Sequence, residues 1–309
     1  MARADLVRPL TQRNCCPLCL GVFRGAMRLC PTDGVELEPL PRDPQLGAQL
    51  GGRYEIRAVI GETALGRIYR AWDQRDQRDR AVRIMYGDYA ALPERSALFE
   101  LHVARAGMLD HAGIVLPVEA GVTDQGIPYL VTTIVYGPRL AEVIRSDAPL
   151  AVERTRRITG ELLGALQHIH EAGIVHGDLT GWHVILTATD DGSERTMLEL
   201  GRPGNLLGTF PYRAPEQGMS NRPDPRSDLY AVGVLLYEML CGESPFAGSF
   251  VSQALQSASG RPPPIAERVP GLTVDPGMEA IAQVLLSTAP DERFVSARQA
   301  REALADVAL

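Results

Sequence analysis

Four cysteines crowd the start of the chain: Cys15, Cys16, Cys19 and Cys30. Cys16-Pro17-Leu18-Cys19 is followed, after ten residues, by Cys30-Pro31-Thr32-Asp33-Gly34. The Pro and Gly residues support tight turns that present ligands as two knuckles, and thiolate sulfur suits a tetrahedral zinc ion. The spacing predicts structural zinc on Cys16, Cys19, Cys30 and Asp33, with Cys15 as the other candidate for the last place. The competing reading is a metal-free segment with reactive thiols. So short a segment buries too little apolar surface to fold unaided. The cations are the second chemical peculiarity, because all 31 basic residues are arginine and none is lysine. An anion held here meets a wide planar fork instead of a compact ammonium, and the two are not equivalent donors to phosphate.

The elements that must position these groups follow from composition and periodicity. At roughly 100–200 residues per domain, 309 residues suffice for one large core and a small appendage. Acidic residues outnumber basic ones by 38 to 31, for a net charge of −7, and the arginines form no dense run. Nucleic acid and anionic membrane are therefore excluded as expected partners. The N-terminus lacks the apolar core of a signal peptide, and the best apolar run, Leu229 to Cys241, is interrupted by Glu238. That run is too short to cross a bilayer and suits a buried helix. With its cysteines read as reduced, the protein is expected to be cytoplasmic. Residues 14–40 form the cysteine-bearing segment, 41–52 read as a Pro- and Gly-rich linker, and 53–309 as one folded unit. Tyr54 to Ile60 alternates apolar and polar residues, followed by Ile68 to Trp72 and Ala81 to Met85, all strand-like. Past residue 150 the period changes, and Ile158, Leu162, Leu163, Leu166 and Ile169 fall on one helical face. Strands first and helices later make an α+β protein.

Taken in order, the motifs of residues 53–309 resemble the bacterial Ser/Thr protein kinase domain. Gly61-Glu62-Thr63-Ala64-Leu65-Gly66 stands at the glycine-rich loop and Ala81-Val82-Arg83-Ile84 at the third-strand motif. His176-Gly177-Asp178-Leu179-Thr180-Gly181-Trp182-His183 stands at the catalytic loop, and Leu198-Glu199-Leu200-Gly201 at the D-F-G position. Gly208 to Glu216 matches the end of the activation segment, Ser227-Asp228 the start of the large buried helix, and Asp291-Glu292-Arg293 the terminal arginine motif. The resemblance implies a two-lobed protein-kinase-like fold: a β-rich N-lobe (53–133), a hinge (134–139) and a helical C-lobe (140–309). The cysteine segment resembles a zinc ribbon whose last ligand is Asp33.

Compared position by position, this chain has changed the family's reagents. Arg83 stands at the lysine that holds ATP phosphates, and His102 at that lysine's glutamate partner. His183 and Glu199 replace the asparagine and aspartate that ligate magnesium, a hard ion that gains little from imidazole. Thr63 and Ala64 replace small loop positions, which leaves Gly61 and Gly66, and a plain hairpin is the competing reading. Asp178 remains at the place of the catalytic base; its other reading is a loop-ordering acceptor. Val135, in the hinge, and Ala81 complete the positions that the family uses for the nucleotide. Residues 202–207 contain no Ser, Thr or Tyr, and Gly177 replaces the arginine that reads a phosphorylated loop, so phosphorylation switching has neither site nor receptor. The expected scaffold contacts persist: Glu216 with Arg293, and Asp228 with the catalytic loop. A pairing of Arg83 with Glu199 is also expected, since a buried charge needs a partner.

These substitutions lead to the expectation of a catalytically impaired pseudokinase. It would act as a scaffold or binding module for a protein partner, such as an active kinase or another signalling protein, and would not be an enzyme. The resemblance implies ATP with magnesium or manganese, and the changed residues argue against both. The alternatives are an atypical Ser/Thr kinase that transfers ATP phosphate to protein hydroxyls, and an ATP-binding sensor without turnover.

Overall fold

The structure is a computed structural model that describes residues 13–17, 22–24, 28–30, 34–39, 43–62, 66–87, 103–200, 211–218 and 224–307. The chain divides into two compact units, residues 1–104 with 117–134, and residues 105–116 with 135–309.

The first unit holds two sheets. Strands β1 (Arg13–Cys15), β2 (Val22–Arg24) and β3 (Glu38–Pro39) pair antiparallel in the order β2-β1-β3. Their apolar centre is Cys16, Phe23, Cys30 and Leu37, all buried. Phe23 also packs on Gly87, where an added Cβ would lie 2.4 Å from the ring Cζ, so only glycine fits there. The larger sheet runs β4-β5-β6-β7-β10-β9. It comprises β4 (Gln49–Leu50), β5 (Tyr54–Glu62), β6 (Gly66–Asp73), β7 (Arg78–Met85), β9 (Pro117–Val122) and β10 (Pro128–Thr133). The alternation seen in the sequence turns Tyr54, Ile56, Tyr69, Ala71, Val82, Ile84, Tyr129 and Val131 into one core. At the sheet's end Arg53 forks onto Asp73 at 2.8 and 2.7 Å. That fork holds the buried Asp73 carboxyl well below its ordinary range.

Residues 43–52, expected within a linker, are folded into this unit. Asp43 is buried and accepts from Arg67 Nη1 at 2.6 Å and Tyr69 Oη at 2.9 Å, while Gln49 and Leu50 extend the sheet beside β5. The Pro- and Gly-rich composition marks turns here, and the ion pair to β6 removes the freedom a linker would have.

The second unit is mainly helical. It contains α1 (Leu140–Asp147), α2 (Val152–Glu171), α3 (Pro225–Cys241), α4 (Phe250–Ser259), α5 (Ile265–Arg268), α6 (Pro276–Leu285) and α7 (Ala297–Ala305). A small sheet in the order β11-β12-β8 joins them, from β8 (Ile114–Val115), β11 (Val184–Ala188) and β12 (Glu194–Glu199). The apolar face predicted for α2 is buried at Ile158, Leu162, Leu163, Leu166 and Ile169. Helix α3, apolar on nearly every side, is the buried centre of the unit. Asp224 caps its start by accepting from Arg226 N–H, Pro225 opens its first turn, and left-handed Gly242 ends it. Among the described residues no helix is long and apolar enough to cross a membrane.

Candidate active site

The loop between α2 and β11 is clamped from below by one carboxylate. Asp228, in the first turn of α3, accepts from the backbone N–H of His176 at 2.9 Å and of Gly177 at 2.8 Å. It also meets His170 Nε2 at 2.7 Å. The helix-start aspartate therefore ties down the loop as its position in the sequence suggested. Gly177 has φ of +73°, a left-handed turn that a side chain would resist. His176 Nδ1 accepts from Asp178 N–H at 3.4 Å, so the proton sits on Nε2, which donates to the Glu199 carbonyl at 3.0 Å. Burial pulls the His176 pKa below its ordinary value, which keeps the ring neutral and this tautomer in place. From the other side Gln217 donates to the Gly177 carbonyl at 2.8 Å and accepts from Ala214 N–H.

On this frame Asp178 is held at 2 % exposure. A carboxylate fixed in a shielded loop can accept a proton from a hydroxyl brought to it. Five residues on, His183 places Nδ1 3.1 Å from Thr180 Oγ1, and its ring stands edge-on to His176 with centroids 5.1 Å apart. Gly181 lets the loop lie against α1, since a Cβ there would approach the Ala141 nitrogen to 2.9 Å. Trp182 is left exposed, and its carbonyl accepts from Arg139 Nη1 at 3.1 Å.

Glu199, at the end of β12, is engaged by Arg139, with Nη1 2.8 Å from Oε2. Both side chains are partly exposed. Glu199 thus satisfies its charge within the helical unit through Arg139; the expected pairing with Arg83 joins residues of different units and stays an expectation. Nothing in the motif order pointed to Arg139. The available signal was a cation at the last hinge position, 60 residues ahead of the glutamate at the D-F-G position. His170 is a second residue missed, since its role depends on α2 passing under Asp228.

In the β-rich unit, Gly61 pairs with Ile68 and Gly66 with Met85 across a hairpin. A Cβ at Gly66 would fall 2.1 Å from the Ile84 carbonyl oxygen, so strand packing itself already requires a glycine here. Ala81 and Arg83 lie on β7 opposite Thr132 and Leu130 of β10. Val135, half-buried, follows β10 and belongs to the helical unit. Thr63, Ala64, His102 and residues 201–210, with the loop-switch expectation, lie outside the described residues.

The zinc expectation is corrected. Cys16 and Cys30 are buried in the apolar cluster with Phe23 and Leu37. Among the described residues no group of three or more His, Cys, Asp or Glu side chains could hold a metal ion. Cys19 and Asp33 lie outside the described residues. The adjacent Cys15 thiol is pushed by burial up to about 11, so it stays protonated at neutral pH.

Comparison with known proteins places this geometry in a family. Residues 54–304 match the protein kinase domain. The probable serine/threonine-protein kinase SCO3848 of Streptomyces coelicolor is 37% identical over 267 residues, covering 82% of this chain and 39% of that protein. The serine/threonine-protein kinase PknB of Mycobacterium leprae is 31% identical over 265 residues, covering 82% of this chain and 42% of its own length. The chain thus spans about two fifths of these curated relatives. The crystal structure of the Mycobacterium tuberculosis PknI kinase domain superposes with a TM-score of 0.70 at 24% identity. It covers 85% of this chain and 99% of that one, and bears on the fold alone. These matches overturn two expectations. The reading as a non-enzyme fails because the family and the named relatives are kinases. The argument against ATP and magnesium or manganese fails with it, because kinase chemistry uses both. The match from the first long strand to the last helix makes this chain a member of the protein kinase domain family.

Proposed function

We propose that the chain is an atypical Ser/Thr protein kinase that transfers phosphate from ATP to hydroxyls of protein substrates. The observation that supports it most is the clamped loop. Asp228, His170 and the fixed His176 tautomer tie down the loop that carries Asp178, which supports reading it as the base although neighbouring reagents have changed. Asp178 takes the substrate hydroxyl proton. Arg83 assumes the lysine's role toward phosphate with a bidentate fork. Gly61, Gly66, Ala81 and Val135 keep the small or backbone character that nucleotide positions require.

A divalent cation fits this donor set in part. Magnesium and manganese are held by one or two carboxylates and the nucleotide's own phosphate oxygens, so a full protein cage is not needed. Glu199 supplies such a carboxylate, with Arg139 as its competitor, and His183 offers a nitrogen that suits manganese better than magnesium. The bound cation would neutralise charge that develops on the transferred phosphate. His183 and Glu199 would hold it, and Asp228 and His176 would keep their backbones still.

The test is transfer of radiolabelled phosphate from ATP to a mixed protein substrate, with magnesium and then manganese. Asp178→Asn is expected to lower the rate by about 100-fold or more, within the range for a lost general base. The change keeps the side chain's size and should leave the circular dichroism spectrum as in wild type. Wild-type protein that binds ATP yet transfers no phosphate with either metal would overturn the proposal.

A further inference from the structure

Within the helical unit a groove of about 720 Å³ opens where α2, α7 and the start of β12 meet. Two glycines of α2 one turn apart, Gly160 and Gly164, let the side chains of α7 close in along it. A Cβ at Gly164 would come 3.2 Å from Arg301 Nη1, and one at Gly160 would meet Leu304 Cδ2 at 3.7 Å. Four guanidinium groups line it against two carboxylates, Glu153 and Glu161. Two of the four are committed: Arg156 donates to the carbonyls of Ala305 and Val307, and Arg157 to Glu194. Glu161 is committed as well, accepting from Thr196 N–H at 2.6 Å and lying 3.6 Å from Arg157. Arg195 and Arg301 are exposed and have no ion pair among the described residues. On the groove wall Thr196 is 2 % exposed, and its hydroxyl oxygen has no hydrogen-bond partner among the described residues. A buried hydroxyl left unsatisfied carries a desolvation cost that a bound acceptor or donor would remove.

The groove's other acid, Glu153, is exposed and has no ion pair among the described residues. Two uncommitted guanidinium groups thus face one uncommitted carboxylate, and that excess of cation in a chain of net charge −7 selects an anion. The planar forks match carboxylates two bonds at a time. We propose that this groove docks an acidic peptide segment of a protein partner, whose Asp and Glu carboxylates meet Arg195 and Arg301 and whose polar backbone meets Thr196. The groove is distinct from the catalytic loop but shares β12 with it: Arg195 and Thr196 lie near one end of that strand, Glu199 at the other. Docking does not depend on phosphotransfer, so it can be tested in the presence or absence of activity.

The experiment is fluorescence anisotropy of a labelled peptide of alternating Glu and Ala, titrated with the full chain. Saturable binding that weakens with added salt is expected. The double change Arg195→Glu with Arg301→Glu should weaken it by about tenfold or more, and Arg301→Gln alone by a smaller factor. Both residues are exposed, so thermal unfolding should be unaltered, which separates lost docking from lost folding. The proposal is overturned by equal binding of a Gln–Ala peptide, by variants that bind as well as wild type, or by no saturable binding. Binding confined to a phosphoserine peptide overturns the carboxylate assignment too, and would mark a phosphate reader.

Discussion

At the scale of single residues, the most telling contact is Arg139 with Glu199. The pair is only partly buried, with side chains 29% and 23% exposed, so it contributes at most about 1 kcal/mol to stability. Its consequence for function is larger than for folding, because it occupies the carboxylate that a divalent cation would use. Arg139→Gln should therefore leave folding stability within about 1 kcal/mol of wild type, since the backbone N–H at 139 keeps its bond to Glu142. The same change should increase the shift in unfolding temperature that ATP with manganese produces, which reports native-state binding directly. An unchanged shift would mean that Glu199 is not a cation ligand, or that Arg139 does not compete for it. The other altered reagent, His183, is buttressed by Thr180 and His176, which help orient its ring within the loop.

At the scale of elements, the helical unit depends on ties between segments far apart in the chain. Arg293 directs its fork onto both oxygens of Glu216 at 2.6 and 2.8 Å and donates to the carbonyls of Ser287, Arg226 and Thr288. Burial alone would raise the Glu216 carboxyl, but Arg293 outweighs it and holds the group below its usual value. Replacing Arg293 by Met would leave a half-buried carboxylate without its cation, at a cost of about 3–5 kcal/mol. Urea unfolding at neutral pH checks this. In acid, where Glu216 takes up a proton, the difference between variant and wild type should shrink; a constant difference would assign the loss to packing. This tie was legible from motif order, as were the α2 face and the sheet alternation, because periodicity and spacing record burial directly. Asp43 was not legible. Its partners Arg67 and Tyr69 lie across a turn-rich stretch whose composition alone reads as a linker. Arg139 and the α2–α7 groove were hidden for the same reason: side chains 60 and more residues apart become neighbours only through the fold.

At the scale of the whole molecule, one buried acid sets how stability varies with pH. Glu238 sits in α3 and accepts from Tyr212 Oη at 2.8 Å. Burial raises its carboxyl from 4.5 to about 7, with the Tyr212 bond opposing only part of that rise. The unfolded chain releases this proton near 4.5, while the folded chain keeps it until about 7. Over that window the native state binds more protons, so stability falls as pH rises and is lowest, from this source, above about 7. The full difference between those values corresponds to about 3 kcal/mol; Glu238 keeps some exposure, which trims it to about 2 kcal/mol. The depressed carboxyls of Glu216, Asp224 and Glu194 act in the opposite sense, since their stabilisation is lost as pH falls below their unfolded values. The two trends together place maximum stability in mildly acidic solution. Glu238→Gln keeps an acceptor for Tyr212 and removes the titration, so the variant should unfold later than wild type above pH 7 and lose the downward slope between about 4.5 and 7. Denaturant midpoints measured across that range decide it. Parallel curves for the two proteins would show that Glu238 reaches water in the native state and that some other group governs the response.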